Sequence, residues 1–181
     1  YPKLFQWLVD RVKPERDAHR DKDLRDKWWL HRRNNEDLRC SLMKLDRYVA
    51  TVQTSKHRHF QFLDADILPD DKLIAIGTSD AFLLGALSST VHVIWALATG
   101  ATLEDRPVYN KSTCFEAFPF PDATPDQQAR IRALAEELDA HRKRVQAASG
   151  VTLTQMYNVL EGLRAGRALD AKSRAIHDAA L

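Results

Sequence analysis

Pro119 and Pro121 rule out regular helix across the aromatic run "FEAFPFPD", and Pro125 begins a helix just beyond it. A proline has no N–H to donate and pushes the residue before it into extended geometry. Phe115 to Pro121 is therefore expected to be non-helical, an edge strand or a pinned linker. Thr124, Pro125 and Gln127 then supply a helix start. Thr124 caps, Pro125 takes the first helical position, and Gln127 completes a capping box. Ile131, Leu134, Leu138 and Val145 draw a narrow apolar stripe along this helix, and Gly150 closes it. The stripe suits packing on the same chain or on another helix. The aromatic strand is expected to end a globular unit and the helix to lead the chain away from it. Two shorter helices, near 153–163 and 171–181, are expected to pack against the long one.

Upstream, helical and strand periodicities mix. Leu4, Trp7, Leu8 and Val12 share one face of a short helix near Pro14. "RYVATVQT" from Arg47 is rich in β-branched residues, "HFQFL" from His59 alternates, and "KLIAIG" from Lys72 is a short buried strand. From Ala81 to Leu103 the chain has no Asp, Glu, Lys or Arg. That length would span a bilayer. Ser88, Ser89, Thr90 and His92 in its middle favour a buried core helix instead, capped by Ser79 or Asp80 and closed by Gly100. The fold class expected is mixed α/β (α+β): a twisted β-sheet recognition domain with packed helices over residues 1–123, followed by a C-terminal helical segment over 124–181. At 181 residues the chain can bury a real core.

Charge is unevenly spread. Residues 1–58 carry fifteen Lys and Arg against nine Asp and Glu, and residues 59–125 carry three against nine. A basic first third followed by an acidic middle is compatible with a polyanion partner, although scattered surface pairs give the same count. Cys40 and Cys114 fit no metal-ligand spacing, which points to a reduced, cytoplasmic chain. The opening "YPKLFQWL" has neither an initiating Met nor a signal peptide, so the chain is expected to be a fragment.

No catalytic motif is present: no Gly-rich phosphate loop, no G-x-S-x-G, no H-E-x-x-H. No catalytic and no metal-binding residue is assigned. His57 and His59 alternate without Cys or carboxylate partners nearby, the pattern of exposed strand histidines rather than of ligands. Two constellations remain. "TSKHRHF" places Lys56 and Arg58 on one face of an extended segment, suited to phosphate contacts. "TLEDRPVYNK" sets Glu104 and Arg106 two apart before Tyr109 and ends on Lys111. Glu accepts from the cytosine amino group and Arg donates two bonds to guanine. A surface ion pair between neighbours is the competing explanation.

The runs "RVKPERD", "WWLHRR", "RYVATVQTSKHRHFQFLD", "AFLLGALSSTVHVIWALATG" and "YNKSTCFEAFPFPD" cover nearly all of the chain in order. Together they resemble the target recognition domain and C-terminal helical segment of MmeI-like (type IIL) DNA methyltransferases and restriction-modification enzymes. The aromatic-proline hand-off is also similar to that of type I restriction specificity subunits. The resemblance implies a module that binds double-stranded DNA without catalysis. Its parent would be an S-adenosylmethionine-dependent adenine-N6 methyltransferase, with or without a nuclease domain, whose catalytic domain lies upstream on the same chain. It implies no cofactor in this fragment and no membrane. By position it makes Glu104 and Arg106 base-reading residues, and Lys56, His57, Arg58, Lys111, Arg32 and Arg33 backbone-contacting ones. Trp28 and Trp29 fall in a matching run and are expected to be structural. Two other classes stand against this reading: a protein-interaction module using the helices from Asp126 onward, and a metal-dependent nuclease fragment using His57 and His59.

Overall fold

The computed structural model describes residues 1–31 and 35–180. The chain divides into two compact units, Tyr1–Cys40 and Ser41–Leu181. The first holds three short helices, α1 (Pro2–Arg11), α2 (Lys13–Asp17) and α3 (Lys22–Asp26). Pro14 opens α2 rather than ending α1, because a proline is tolerated in a first turn. Asp21 caps α3 by accepting from the Asp23 N–H. Leu24 is buried, and Trp28 packs between Phe5 and Trp29 with ring centres 6.0 and 5.8 Å away. Trp28 is thus part of an aromatic cluster. Trp29 and the α1 side chains Leu4, Phe5 and Trp7 stay exposed. Helix α4 (Glu36–Leu42) leads into the second unit.

The second unit is built on three antiparallel strands, β1 (Arg47–Val52), β2 (Gln61–Asp64) and β3 (Leu73–Ile76), in the order β2-β1-β3. Val49 lies opposite Phe62 on one side and Ile76 on the other. Val49, Phe60 and Phe62 are fully buried beneath helices α5 (Ala81–Ser88) and α6 (Thr90–Thr99). The mixed α/β class expected from the sequence is the class observed.

The charge-free run is two helices rather than one. Ser89 is extended, with φ −67° and ψ 151°, and the axes bend by 64°. Its hydroxyl explains the break: it donates to the Ala86 carbonyl at 2.7 Å and accepts from the His92 N–H at 3.2 Å. A serine that bonds nearby backbone on both sides ends one helix and caps the next. Asp80 caps α5. Among the described residues no single helix is long and apolar enough to cross a membrane. Leu84, Leu87, His92 and Ala96 of the bent pair are buried in the protein's own core.

A two-stranded hairpin follows, β4 (Ala101–Leu103) and β5 (Arg106–Val108). Lys111–Glu116 then forms a π-helical turn capped by Asn110. Phe115 is therefore helical, against expectation, and the aromatic run is not a strand. Pro119 restricts Phe118 but not residues four positions upstream. Beyond the turn, Phe118 stands edge-on to His92 at 4.4 Å and to Phe120 at 5.0 Å, which pins the linker to α6.

Helix α7 (Pro125–Ser149) opens with the expected Thr124–Gln127 capping box and ends at Gly150. It does not lead the chain away. It lies along α5, where Gly85 leaves room: a Cβ there would come within 2.5 Å of Ile131 Cγ2. Its buried face is partly polar. Asp139 accepts from the Phe62 N–H at 3.0 Å, and Arg142 donates to the Phe60 carbonyl at 2.9 Å. These two side chains satisfy the open edge of β2 as a further strand would. Arg47 grips Glu136 through both guanidinium nitrogens and lies 3.7 Å over the Phe62 ring. Helices α8 (Leu153–Arg164) and α9 (Ala171–Ala179) complete the unit.

Candidate nucleic-acid interface

The hairpin is largely open to solvent. All three residues of β4 are exposed. Leu103 pairs with Arg106, so Glu104 and Asp105 form a two-residue turn. Glu104 has φ +59°, a region that favours glycine and costs another residue about 1–2 kcal/mol. A charged residue is therefore held in strain at the tip. Arg106 Nη2 meets Glu104 Oε2 at 2.9 Å, and both side chains are mostly solvent-exposed. The two residues form the neighbour ion pair, on a ribbon that faces outward.

The hairpin base is firmly held. Thr54 bridges to Val108, the Ser55 N–H donates to the Pro107 carbonyl at 3.2 Å, and the Tyr109 N–H donates to the Gln53 carbonyl at 2.7 Å. Gly100 allows the turn from α6 into β4, since a Cβ would fall 2.6 Å from the Ala96 and Val108 carbonyls. Beneath lies a buried polar cluster. Tyr109 OH and His92 Nε2 are 2.9 Å apart. Burial pushes the His92 pKa down to about 4, with nearby Arg58 adding to the effect, and raises that of Tyr109.

Arg58 belongs to this cluster and lies inside the fold, not on an exposed face of the segment as the alternation suggested. It is only 7% exposed and sits 5.0 Å over the Tyr109 ring. Its guanidinium donates to Thr51 Oγ1 at 3.0 Å, to the Val52 and Gln53 carbonyls, and to the Pro107 carbonyl at 3.4 Å. These contacts are all internal, so Arg58 staples β1 to the hairpin through both terminal nitrogens. Burial lowers its pKa. His59 is not an exposed strand histidine either. It stacks on Tyr157, and burial, followed by the charge of Arg142, lowers its pKa to about 4.

Lys56 and His57 lie on the outer side of the same segment, and α8 reaches them. Lys56 Nζ donates to Asn158 Oδ1 at 2.9 Å and meets Glu161 Oε2 at 3.0 Å. His57 Nε2 is 2.8 Å from Asn158 Oδ1. Lys111 is exposed at the start of the π-helical turn, three residues beyond Val108. Arg32 and Arg33 lie outside the described residues. The structure thus places Glu104 and Arg106 together at the tip, Lys56 and His57 beside the base, and Arg58 inside. Among the described residues no three His, Cys, Asp or Glu side chains gather as a metal site. Sequence reading missed Asn158 and Glu161, because no local signal links α8 to a segment about a hundred residues earlier.

The hairpin is thus an exposed two-stranded ribbon with a charged, strained tip on a stapled base. The chain belongs to the MmeI target recognition domain family, whose model matches residues 8–122. Over 95 residues it is 28% identical to DNA methyltransferase A of Bacillus subtilis (strain 168), covering 52% of this chain and 10% of that protein. The structure of the type IIL restriction-modification enzyme MmeI in complex with DNA matches 98% of this chain and 22% of that chain, with a TM-score of 0.62 at 18% identity. That likeness establishes a shared fold. The chain spans about a tenth of the first relative and about a fifth of the second.

Proposed function

We propose that this chain reads DNA sequence for an S-adenosylmethionine-dependent adenine-N6 methyltransferase whose catalytic domain lies upstream in a longer cytoplasmic protein. The observation that carries the reading is the exposed β4–β5 ribbon with Glu104 and Arg106 at its tip. A major groove admits a two-stranded ribbon, and these side chains match the base edges of a C·G pair. Separating the Glu104–Arg106 ion pair frees one acceptor and one forked donor for the groove. Lys56, His57 and Lys111 then contact phosphates, which sets register without reading sequence. Residues 1–123 supply recognition in this account, and residues 124–181 brace it.

One apolar cavity of the second unit lacks the chemistry for S-adenosylmethionine. A cavity of about 310 Å³ between α7, α8 and α9 is lined mainly by Leu138, Met156, Leu160, Leu163 and Ile176. It offers no carboxylate for ribose hydroxyls. In this reading the cofactor is held by the upstream methyltransferase domain.

The test is methylome sequencing of cells expressing the full-length protein, with and without the paired change Glu104→Lys and Arg106→Glu. A methylated-adenine motif that changes at one position supports the assignment. A motif that stays the same removes Glu104 and Arg106 as base readers. Absence of methylation from the unaltered protein overturns the functional reading.

A further inference from the structure

Helix α8 turns one face toward the segment leaving β1. Tyr157, Asn158 and Glu161 are spaced to share that face. The His57 ring lies 5.9 Å from that of Tyr157. The Glu161 carboxylate is the centre of the contact. Its Oε2 meets Lys56 Nζ at 3.0 Å and His57 Nε2 at 3.8 Å, and its Oε1 meets Arg167 Nη2 at 3.8 Å. One anion thus collects a lysine, a histidine and an arginine drawn from two distant parts of the sequence. Hydrogen bonding and charge from Lys56, with His57 and Arg167 contributing, hold its carboxyl below the usual range. It therefore remains ionised at neutral pH.

The location gives this cluster meaning. Thr54 pairs with Val108 and Ser55 bonds to Pro107, so the chain carrying Lys56 runs beside β5 toward the reading tip. A duplex engaged by that tip brings its backbone close to Lys56, because the major groove is only about 12 Å wide. A carboxylate with one oxygen on a lysine, the other facing an arginine, and a histidine alongside imitates a phosphodiester in charge and hydrogen bonding.

We propose that Lys56, His57 and Arg167 form a phosphodiester site that Glu161 occupies in the DNA-free protein, and that a DNA phosphate takes its place on binding. This rests on the DNA-recognition reading above. Glu161 is then an internal competitor: it keeps the cations ordered and weakens binding to DNA that the hairpin does not engage.

Duplex binding by the full-length protein, followed by fluorescence anisotropy over a salt series, tests this. Glu161→Gln is expected to tighten binding to a mixed-sequence duplex about threefold, the scale of an exposed ion pair. Asp178→Asn, the same charge change on α9, should leave affinity unchanged. Lys56→Gln should lower the magnitude of the salt slope by roughly 0.9, one phosphate contact. Adding Glu161→Gln to Lys56→Gln should then recover little. Equal tightening by Glu161→Gln and Asp178→Asn would reduce the effect to net charge and overturn the proposal. Unchanged affinity in Glu161→Gln, with Lys56→Gln still weakened, would overturn it while leaving DNA recognition standing. Failure of the unaltered protein to bind any duplex would overturn both.

Discussion

The α7 face and the β4–β5 tip both use arginine and carboxylate side chains, and they use them in opposite ways. On α7, Asp139 and Arg142 are buried and spend their hydrogen bonds on the backbone of Phe62 and Phe60. At the tip, Glu104 and Arg106 bond only to each other and stay mostly exposed. The first arrangement substitutes for a missing strand. The second leaves both groups available at the end of a rigid ribbon. Charged residues near a sheet are thus sorted by where their donors point. Arg58 falls on the buried side of that division, and Lys56 on the open side.

Acidification should break the buried side first. His59 and His92 have folded pKa values of about 4 against an ordinary 6.5. Between those values the unfolded chain binds more protons than the folded one. Stability is therefore full above pH 6.5 and is lost as pH falls toward 4. At about 1.4 kcal/mol per unit for each histidine, the two together cost several kcal/mol. Denaturant unfolding at pH 7.5, 6 and 5 measures this. A flat profile would show that neither histidine is held neutral by burial.

Removing the Arg58 staple is the next largest effect. Arg58→Met removes the guanidinium from Thr51 Oγ1 and the Val52 carbonyl, while the Gln53 and Pro107 carbonyls keep only the Tyr109 and Ser55 N–H groups, at a cost of about 3 kcal/mol. Chemical denaturation reads it directly. A variant that folds with wild-type stability but binds DNA more weakly would return Arg58 to the phosphate contacts and collapse the division.

The smallest effect sharpens the open side. Glu104→Gly relieves the positive φ and breaks only an exposed ion pair. Strain relief is partly offset by the chain entropy of Gly and the lost pair, so stability should rise by less than about 1 kcal/mol, while sequence discrimination at one position is lost. A stability loss would mean that the Glu104–Arg106 pair holds the hairpin together rather than standing ready for a base.

Much of this fold was legible because its signals are local. The Thr124–Gln127 capping box, the Gly150 terminus and the three core strands all appear where short-range chemistry places them. The break at Ser89 was visible only as a run of small hydroxyl residues, and the π-helical turn lay too far upstream of Pro119 to be excluded by it. Glu104 and Arg106 were singled out by the family resemblance, since spacing alone left open the surface ion pair that the structure contains. The burial of Arg58 was not legible, because an alternating basic segment looks the same whether its side chains meet solvent or carbonyls.

Sequence alone determined the elements whose energy lies within a few residues: caps, proline restraints, and the alternation of β1 and β2. Tertiary structure decided which charges are used up. Asp139 and Arg142 sit on what the helical pattern marks as a solvated face, and only the edge of β2 makes them buried partners. Lys56 reads as a free cation until α8 brings Glu161 to it from across the fold. Desolvation and hydrogen-bond satisfaction depend on surroundings drawn from distant sequence, so no local pattern could assign them.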